Sequence, residues 1–255
     1  MLFDAAELAT VVDAESALEF MKEATKLASA SELEDIGARL VAKSERFQAL
    51  LGPERIDALD AAALDGLIGQ IFSLRRKAGR LLRSNGLPGL RAALKSLLYG
   101  EGNLRDRFDR FTGGVCGVER GMVVSFASEV LHFADPTRYW LWTQWIWNPA
   151  SRTGALALVT HEAADLRAPG SDGEAYERVG KAIALVDQAG HAAGYSRSAR
   201  GLFGTDVFLA CVYAVYMYTV FRVKLSQEFN RILPELPELV ERVLGVHQTG
   251  DSRVR

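Results

Sequence analysis

Fifteen consecutive uncharged residues, VFLACVYAVYMYTVF from Val207 to Phe221, constrain this chain more than any other stretch. A helix built from them is apolar on every face and must be enclosed by other elements. A membrane span needs about 18 or more such residues, and Asp206 and Arg222 close the run too early. The segment therefore predicts a buried central helix at 207–221. Inside a core, Tyr213, Tyr216 and Tyr218 need hydroxyl partners, or else they line a polar cavity.

The rest of the chain supplies a shell for it. Hydrophobic residues make up 49% of the 255 and charged residues 24%, as in a globular protein with a full core. Residues 1–62 carry apolar positions at helical spacing. Ser31 and Glu34 fit a capping box opening a helix through Leu40 and Phe47 to Leu51, and Gly52-Pro53 ends it. From Leu64 to Arg83 the spacing predicts one amphipathic helix, stopped by Ser84-Asn85-Gly86. Leu87-Pro88-Gly89 starts the next, since proline near a helix start loses no hydrogen bond. Asn103 caps a short helix with Phe108 and Phe111 inward, and a buried helix follows from Met122 to Phe133. Asp135-Pro136 stops that one, because the residue before proline avoids the α region. The segment 155–161, ALALVTH, is the candidate strand. A polar loop at 165–173 marks the best boundary, helix 174–189 follows, and a Gly/Ser/Arg loop holds Arg197 and Arg200. A proline-started helix, LPELVERVLG, comes last.

The expected fold is all-α or nearly so. It has an acidic helical section at 1–62 and a helical core at 63–255, which can form one continuous domain.

Charge is unevenly spread. The net charge of −2 offers no bulk attraction to nucleic acid or to an anionic membrane. Residues 1–65, however, hold 14 acids and 6 bases, whereas residues 66–100 hold 7 bases and no acid. Those bases are Arg75, Arg76, Lys77, Arg80, Arg83, Arg91 and Lys95, around a helix start that can receive a phosphate. Cys116 and Cys211 are far apart, in apolar sequence surroundings, and read as reduced thiols of a cytoplasmic protein. The first residues lack the basic start of a signal peptide. The cysteines and histidines have no metal-ligand spacing, and no cofactor motif is present.

Catalytic signatures are absent too: no G-x-S-x-G, P-loop, G-x-G-x-x-G or H-E-x-x-H occurs. Glu119 and Arg120 sit at the tip of a turn in which Gly113, Gly114, Gly117 and Gly121 are concentrated. His132 reads as a structural donor at a helix end. Glu129 has no second carboxylate placed near it by spacing, so no acid/base pair is argued. All four tryptophans fall between Trp140 and Trp147, where they knit a core or stack on a ligand.

The stretch GVERGMVVSFASEVLHFADPTRYWLWTQWIW, within residues 113–147, resembles the helix-hairpin-helix segment of the DNA glycosylase superfamily. In that family the hairpin's backbone N–H groups hold DNA phosphate, and an aspartate after an aromatic strand-like stretch is catalytic. Here Glu119 stands where the second hairpin glycine is expected and Thr143 where the aspartate is expected. No lysine lies in the second helix to act as nucleophile. The resemblance therefore implies a helical fold that binds DNA or RNA without glycosylase chemistry. Its contacts would be the basic residues above together with Gly117, Arg120 and Gly121. Two other uses remain open on the residues: a protein partner for the acidic N-terminal helices, or a small molecule in a Trp/Tyr-lined interior.

Overall fold

In the computed structural model, residues 9–161, 164–193, 201–224 and 234–247 are described. Its helices are α1 (Ala14–Leu27), α2 (Ala30–Leu51), α3 (Ala61–Ile68), α4 (Ala78–Tyr99) and α5 (Leu104–Gly114), then α6 (Arg120–Ala134), α7 (Leu156–Val159), α8 (Asp172–Ala193), α9 (Gly204–Lys224) and α10 (Leu236–Leu244). There is no β-strand among the described residues, and the fold is all-α. None of these helices is long and apolar enough to cross a membrane.

Two helices are enclosed. Every residue of α6 from Val123 to Phe133 is buried, and so is α9 from Gly204 to Val212. The other helices surround them: α2 packs on α6, α1 and α10 on α9, α4 on α5, and α5 on α8. Aromatic rings seal the seams. Phe47 of α2 lies 5.4 Å from Phe133 of α6, and Phe108 of α5 stacks 4.6 Å from Tyr176 of α8. Each such side chain contributes roughly 1.5–3 kcal/mol by leaving water. The segment after α6 is neither helix nor strand. It folds back over α6, with Trp142 N–H donating to Ser128 Oγ at 2.6 Å and Trp142 Nε1 donating to the Trp147 carbonyl at 2.9 Å. Tyr139, Trp142, Trp145 and Trp147 are buried in the core.

The helix stops at Asp135-Pro136 and the Asn103 cap occur as the sequence predicts; Asn103 Oδ1 accepts the Asp106 N–H at 2.8 Å. Four expectations are corrected. The capping box opening α2 is Ser29 with Glu32, not Ser31 with Glu34, because α1 runs to Leu27 and leaves only a two-residue link. The predicted 64–83 helix is split. After Ile68 the chain makes tight turns through residue 77, closed by bonds such as Ile71 N–H to Ile68 O and Leu74 N–H to Ile71 O. The Gln70 carbonyl, freed from helical bonding, accepts Lys43 Nζ at 3.0 Å. The 155–161 strand is the short helix α7, with one bridge from Thr160 to Val12 as its only pairing among the described residues. Cys116 is exposed rather than apolar-packed, since it lies in the α5–α6 turn. The loop arginines Arg197 and Arg200 lie outside the described residues.

Candidate functional site

The turn between α5 and α6 is held on α4. Asn85, at the kink of α4, donates from Nδ2 to the Cys116 carbonyl at 2.8 Å and accepts the Cys116 N–H at 2.9 Å. Gly117 follows with φ of +94°, and a Cβ there would stand 2.4 Å from Ser84 Oγ. Only glycine suits that conformation and that close approach. No side chain caps the start of α6, so its first N–H groups open toward the turn without a side-chain acceptor. Gly121, in the same first turn, is where the Gln144 amide lies against the backbone; a Cβ would meet it at 2.0 Å.

Lys77 and Arg80 come to this turn, lining with Gly117, Val118 and Glu119 a cavity of about 390 Å³. Glu119 is the acidic residue in that lining. Arg75 and Arg76 face the other way, into a cavity of about 400 Å³ shared with Phe72, Arg242 and His247. The Arg75 guanidinium lies 5.1 Å over the Phe72 ring. Arg83 is exposed on α4. The remaining basic residues are engaged elsewhere. Arg91 donates to the Leu59 carbonyl at 2.6 Å, Lys95 pairs with Asp57, and Arg120 pairs with Asp172 at 3.0 Å. The sequence-predicted set therefore divides. Lys77, Arg80, Gly117 and Gly121 gather around one turn, Arg75 and Arg76 lie toward α10, and Arg91, Lys95 and Arg120 serve as ties within the fold.

A second cluster lies in the core. Lys43 Nζ, buried, donates to Glu129 Oε2 at 2.8 Å, to the Leu244 carbonyl at 2.8 Å and to the Gln70 carbonyl at 3.0 Å. It also sits 4.0 Å from the centre of the Phe133 ring. Burial pushes the Glu129 carboxyl above its ordinary range and the Lys43 ammonium below its own, each opposed by the attraction of the other. One helical turn on from Glu129, buried His132 contacts the Tyr139 carbonyl through Nδ1 at 2.7 Å and Asp206 Oδ2 through Nε2 at 3.2 Å. A carbonyl and a carboxylate both accept, so both ring nitrogens donate and the imidazole is charged. Burial alone would lower its pKa, but Asp206 and the Tyr139 carbonyl outweigh burial and raise it. The core thus holds two opposed ion pairs on one face of α6. His132 is the structural donor that its sequence position suggests.

Sequence reasoning placed nothing beside Glu129, and it missed Lys43 and Asp206. A signal for Lys43 was available: it continues the apolar series Leu33, Ile36, Leu40 and precedes Phe47, at inward-facing spacing. Nothing local marks Asp206, which follows a glycine-rich loop and starts the apolar helix.

Glu129 also borders a cavity of about 220 Å³, together with Ser73, Thr143, Gln144, Trp145 and Tyr213. Thr143, the residue at the aspartate position of the glycosylase resemblance, is buried, and its Oγ1 has no protein partner; the same is true of Trp145 Nε1 and Ser73 Oγ. Among the described residues, no group of three or more His, Cys, Asp or Glu is arranged to hold a metal ion.

The fold and these clusters define a multi-helix all-α protein with a glycine-pinned turn between two helices and a charged core. Compared with known proteins, the chain matches no family model, no curated sequence and no solved structure.

Proposed function

We propose that this protein binds nucleic acid, without catalysis, through the cations of residues 75–83, four exposed and Lys77 half-buried, and the Gly117–Gly121 turn. The observation that carries the reading is that Arg75, Arg76, Lys77, Arg80 and Arg83 have no ion-pair partner among the described residues, in a chain whose net charge is −2. Arg105, Arg120 and Arg242 are paired with carboxylates, and the arginines elsewhere that are not, such as Arg46, Arg55 and Arg152, stand apart in sequence, whereas residues 75–83 hold five such cations together. Lys77 and Arg80, beside the uncapped start of α6, suit a phosphate backbone, which takes both point charges and backbone N–H donors; Arg75 and Arg76 stand on the α10 side. The resemblance to the helix-hairpin-helix glycosylases supports the same reading and assigns the phosphate-holding role to the Gly117–Gly121 turn. Arg91, Lys95 and Arg120 are secondary members of the contact set, since each already holds one acceptor within the fold and would bring only its remaining N–H donors.

The test is a salt titration of binding to double- and single-stranded DNA and to RNA. Each double-stranded DNA phosphate neutralised contributes about −0.9 to the slope of log K against log salt. Arg80→Ala with Arg83→Ala weakens binding to all sequences alike and flattens the slope by roughly 2. Its melting temperature stays near that of the unmodified protein, since exposed charges contribute little to stability. Salt-insensitive binding, or a double variant with unchanged affinity and slope, overturns the reading.

A further inference from the structure

The end of α10 and the turns of residues 69–77 meet across a cavity of about 400 Å³, lined by Phe72, Arg75, Arg76, Arg242, Gly245 and His247. Lys77 and Arg80 line a separate cavity at the α5–α6 turn. The two walls of the α10 cavity are fixed to each other. Buried Lys43 Nζ donates to the Gln70 carbonyl of one wall at 3.0 Å and to the Leu244 carbonyl of the other at 2.8 Å. Gly245 approaches so closely that a Cβ would stand 1.8 Å from the Gln70 oxygen. Arg75 is steadied too: its guanidinium lies 5.1 Å over the Phe72 ring, which leaves the in-plane N–H donors free.

The charge of the lining narrows what it receives. Among the described residues no carboxylate lines this cavity. Two stand near it on α10, and both are engaged: Glu238 with Arg242, and Glu241 with Arg39 at 2.6 Å and with His247 Nδ1 at 3.2 Å. Setting Arg242 against Glu238 and Arg39 against Glu241 leaves the two charges of Arg75 and Arg76 unbalanced. The cavity is therefore complementary to a dianion. A guanidinium fork matches two oxygens of a phosphoryl group at once. A carboxylate brings one charge, whereas a phosphate monoester brings nearly two at neutral pH, its second pKa being about 6. The volume leaves room for a small organic part beyond the phosphoryl group.

We propose that this cavity binds a small phosphate monoester, its phosphoryl group held by Arg75 and Arg76 with Arg242 and His247 on the α10 wall. That group occurs both on free phosphorylated compounds and at the 5′ end of a nucleic-acid strand. The site does not rest on strand binding at the α6 turn: Arg80 and Arg83, the residues replaced in the salt titration, are not in its lining.

Ribose 5-phosphate and adenosine 5′-monophosphate serve as probes, with ribose and adenosine as their unphosphorylated counterparts, in calorimetry on the full chain at about 0.15 M salt. At least one monoester binds saturably at one site per chain, and its counterpart binds at least roughly tenfold more weakly. Arg76→Gln weakens monoester binding by about tenfold, and Arg75→Gln does the same, because each removes charge-assisted hydrogen bonds. Both positions are exposed, so these variants keep the fold. Arg80→Ala with Arg83→Ala leaves the monoester affinity unchanged. No saturable binding of either monoester, equal binding of the counterparts, unchanged affinity in either glutamine variant, or an equal loss in the Arg80/Arg83 variant overturns the proposal. The source is read from competition. A 5′-phosphorylated oligonucleotide that displaces the probe where its 5′-hydroxyl twin does not assigns the end of a strand, and displacement by neither assigns a free compound. Equal displacement by both shows that a singly charged diester suffices, and it overturns the selection for a monoester.

Discussion

Replacing Lys43 by methionine leaves Glu129 in the core without its counter-charge, and the size of the loss can be worked out. Methionine fills nearly the same space, so the apolar contacts with Phe47 and Phe133 largely survive. What disappears is the donor to Glu129 and to the Gln70 and Leu244 carbonyls. Breaking one partner of a buried pair costs about 3–5 kcal/mol. The carboxylate has one way out, which is to take up a proton. From an ordinary value near 4.3, doing so at pH 7 costs about 3.7 kcal/mol, at 1.36 per unit; at pH 5 it costs about 1. Burial raises the folded-state pKa of Glu129 above its unfolded value. Stability from such a group is present in full below the unfolded value and is lost as pH rises through the folded one. The penalty of Lys43→Met is therefore largest at neutral pH and shrinks toward pH 5. Thermal melts at the two pH values measure it. At pH 7 the fall is roughly 6–20 °C, taking 2–4 °C per kcal/mol for a chain of this size. Adding Glu129→Gln to Lys43→Met removes the stranded charge and recovers much of the loss. A Lys43→Met protein that melts within a degree or two of the original at pH 7, or whose deficit is the same at pH 5, refutes the account of this pair as a buried, charge-balanced contact.

Two further outcomes follow from the same helix and its turn. His132 is held charged by Asp206, so Asp206→Asn lowers the His132 pKa, read by NMR titration of the ring protons; an unmoved titration would show that Asp206 is not its partner. Because the folded value of His132 is raised above the unfolded one, near 6.5, its contribution is complete below about pH 6.5 and fades as pH rises through the folded value. Gly117→Ala meets both a φ of +94° and Ser84 Oγ at 2.4 Å from the new Cβ. It should destabilise by about 1–3 kcal/mol in a denaturant melt, and a variant as stable as the original would show that the turn is not pinned to α4.

Residue order and polarity alone determined the class of fold. A run apolar on all faces calls for a helical shell, and α9 has one from Val207 to Val215, where all but Tyr213 are buried; from Tyr216 to Val220 the helix emerges and its side chains are half-buried or exposed. Stops set by local backbone chemistry were also legible: proline after Asp135 restricts its own neighbours, and Asn103 bonds a backbone N–H three residues away. These effects need no distant partner. Where two local choices matched the same pattern, as with Ser29 and Ser31, the length of the preceding helix decided. The split of the 64–83 segment was hidden for a stronger reason. Its apolar spacing suits a continuous helix, yet the Gln70 carbonyl is taken by a lysine from α2, a contact across 27 residues. The same holds for the site. The unpaired cations of 75–83 could be read from a window without acids, but which of the seven bases between residues 66 and 100 stay free depended on Leu59 and Asp57. The ion pairs of Glu129 and His132, and the cavity that Thr143 shares with Tyr213, join segments separated by tens of residues. Charge and hydrogen-bond partners at that separation are chosen by packing, and only the tertiary structure brings them together.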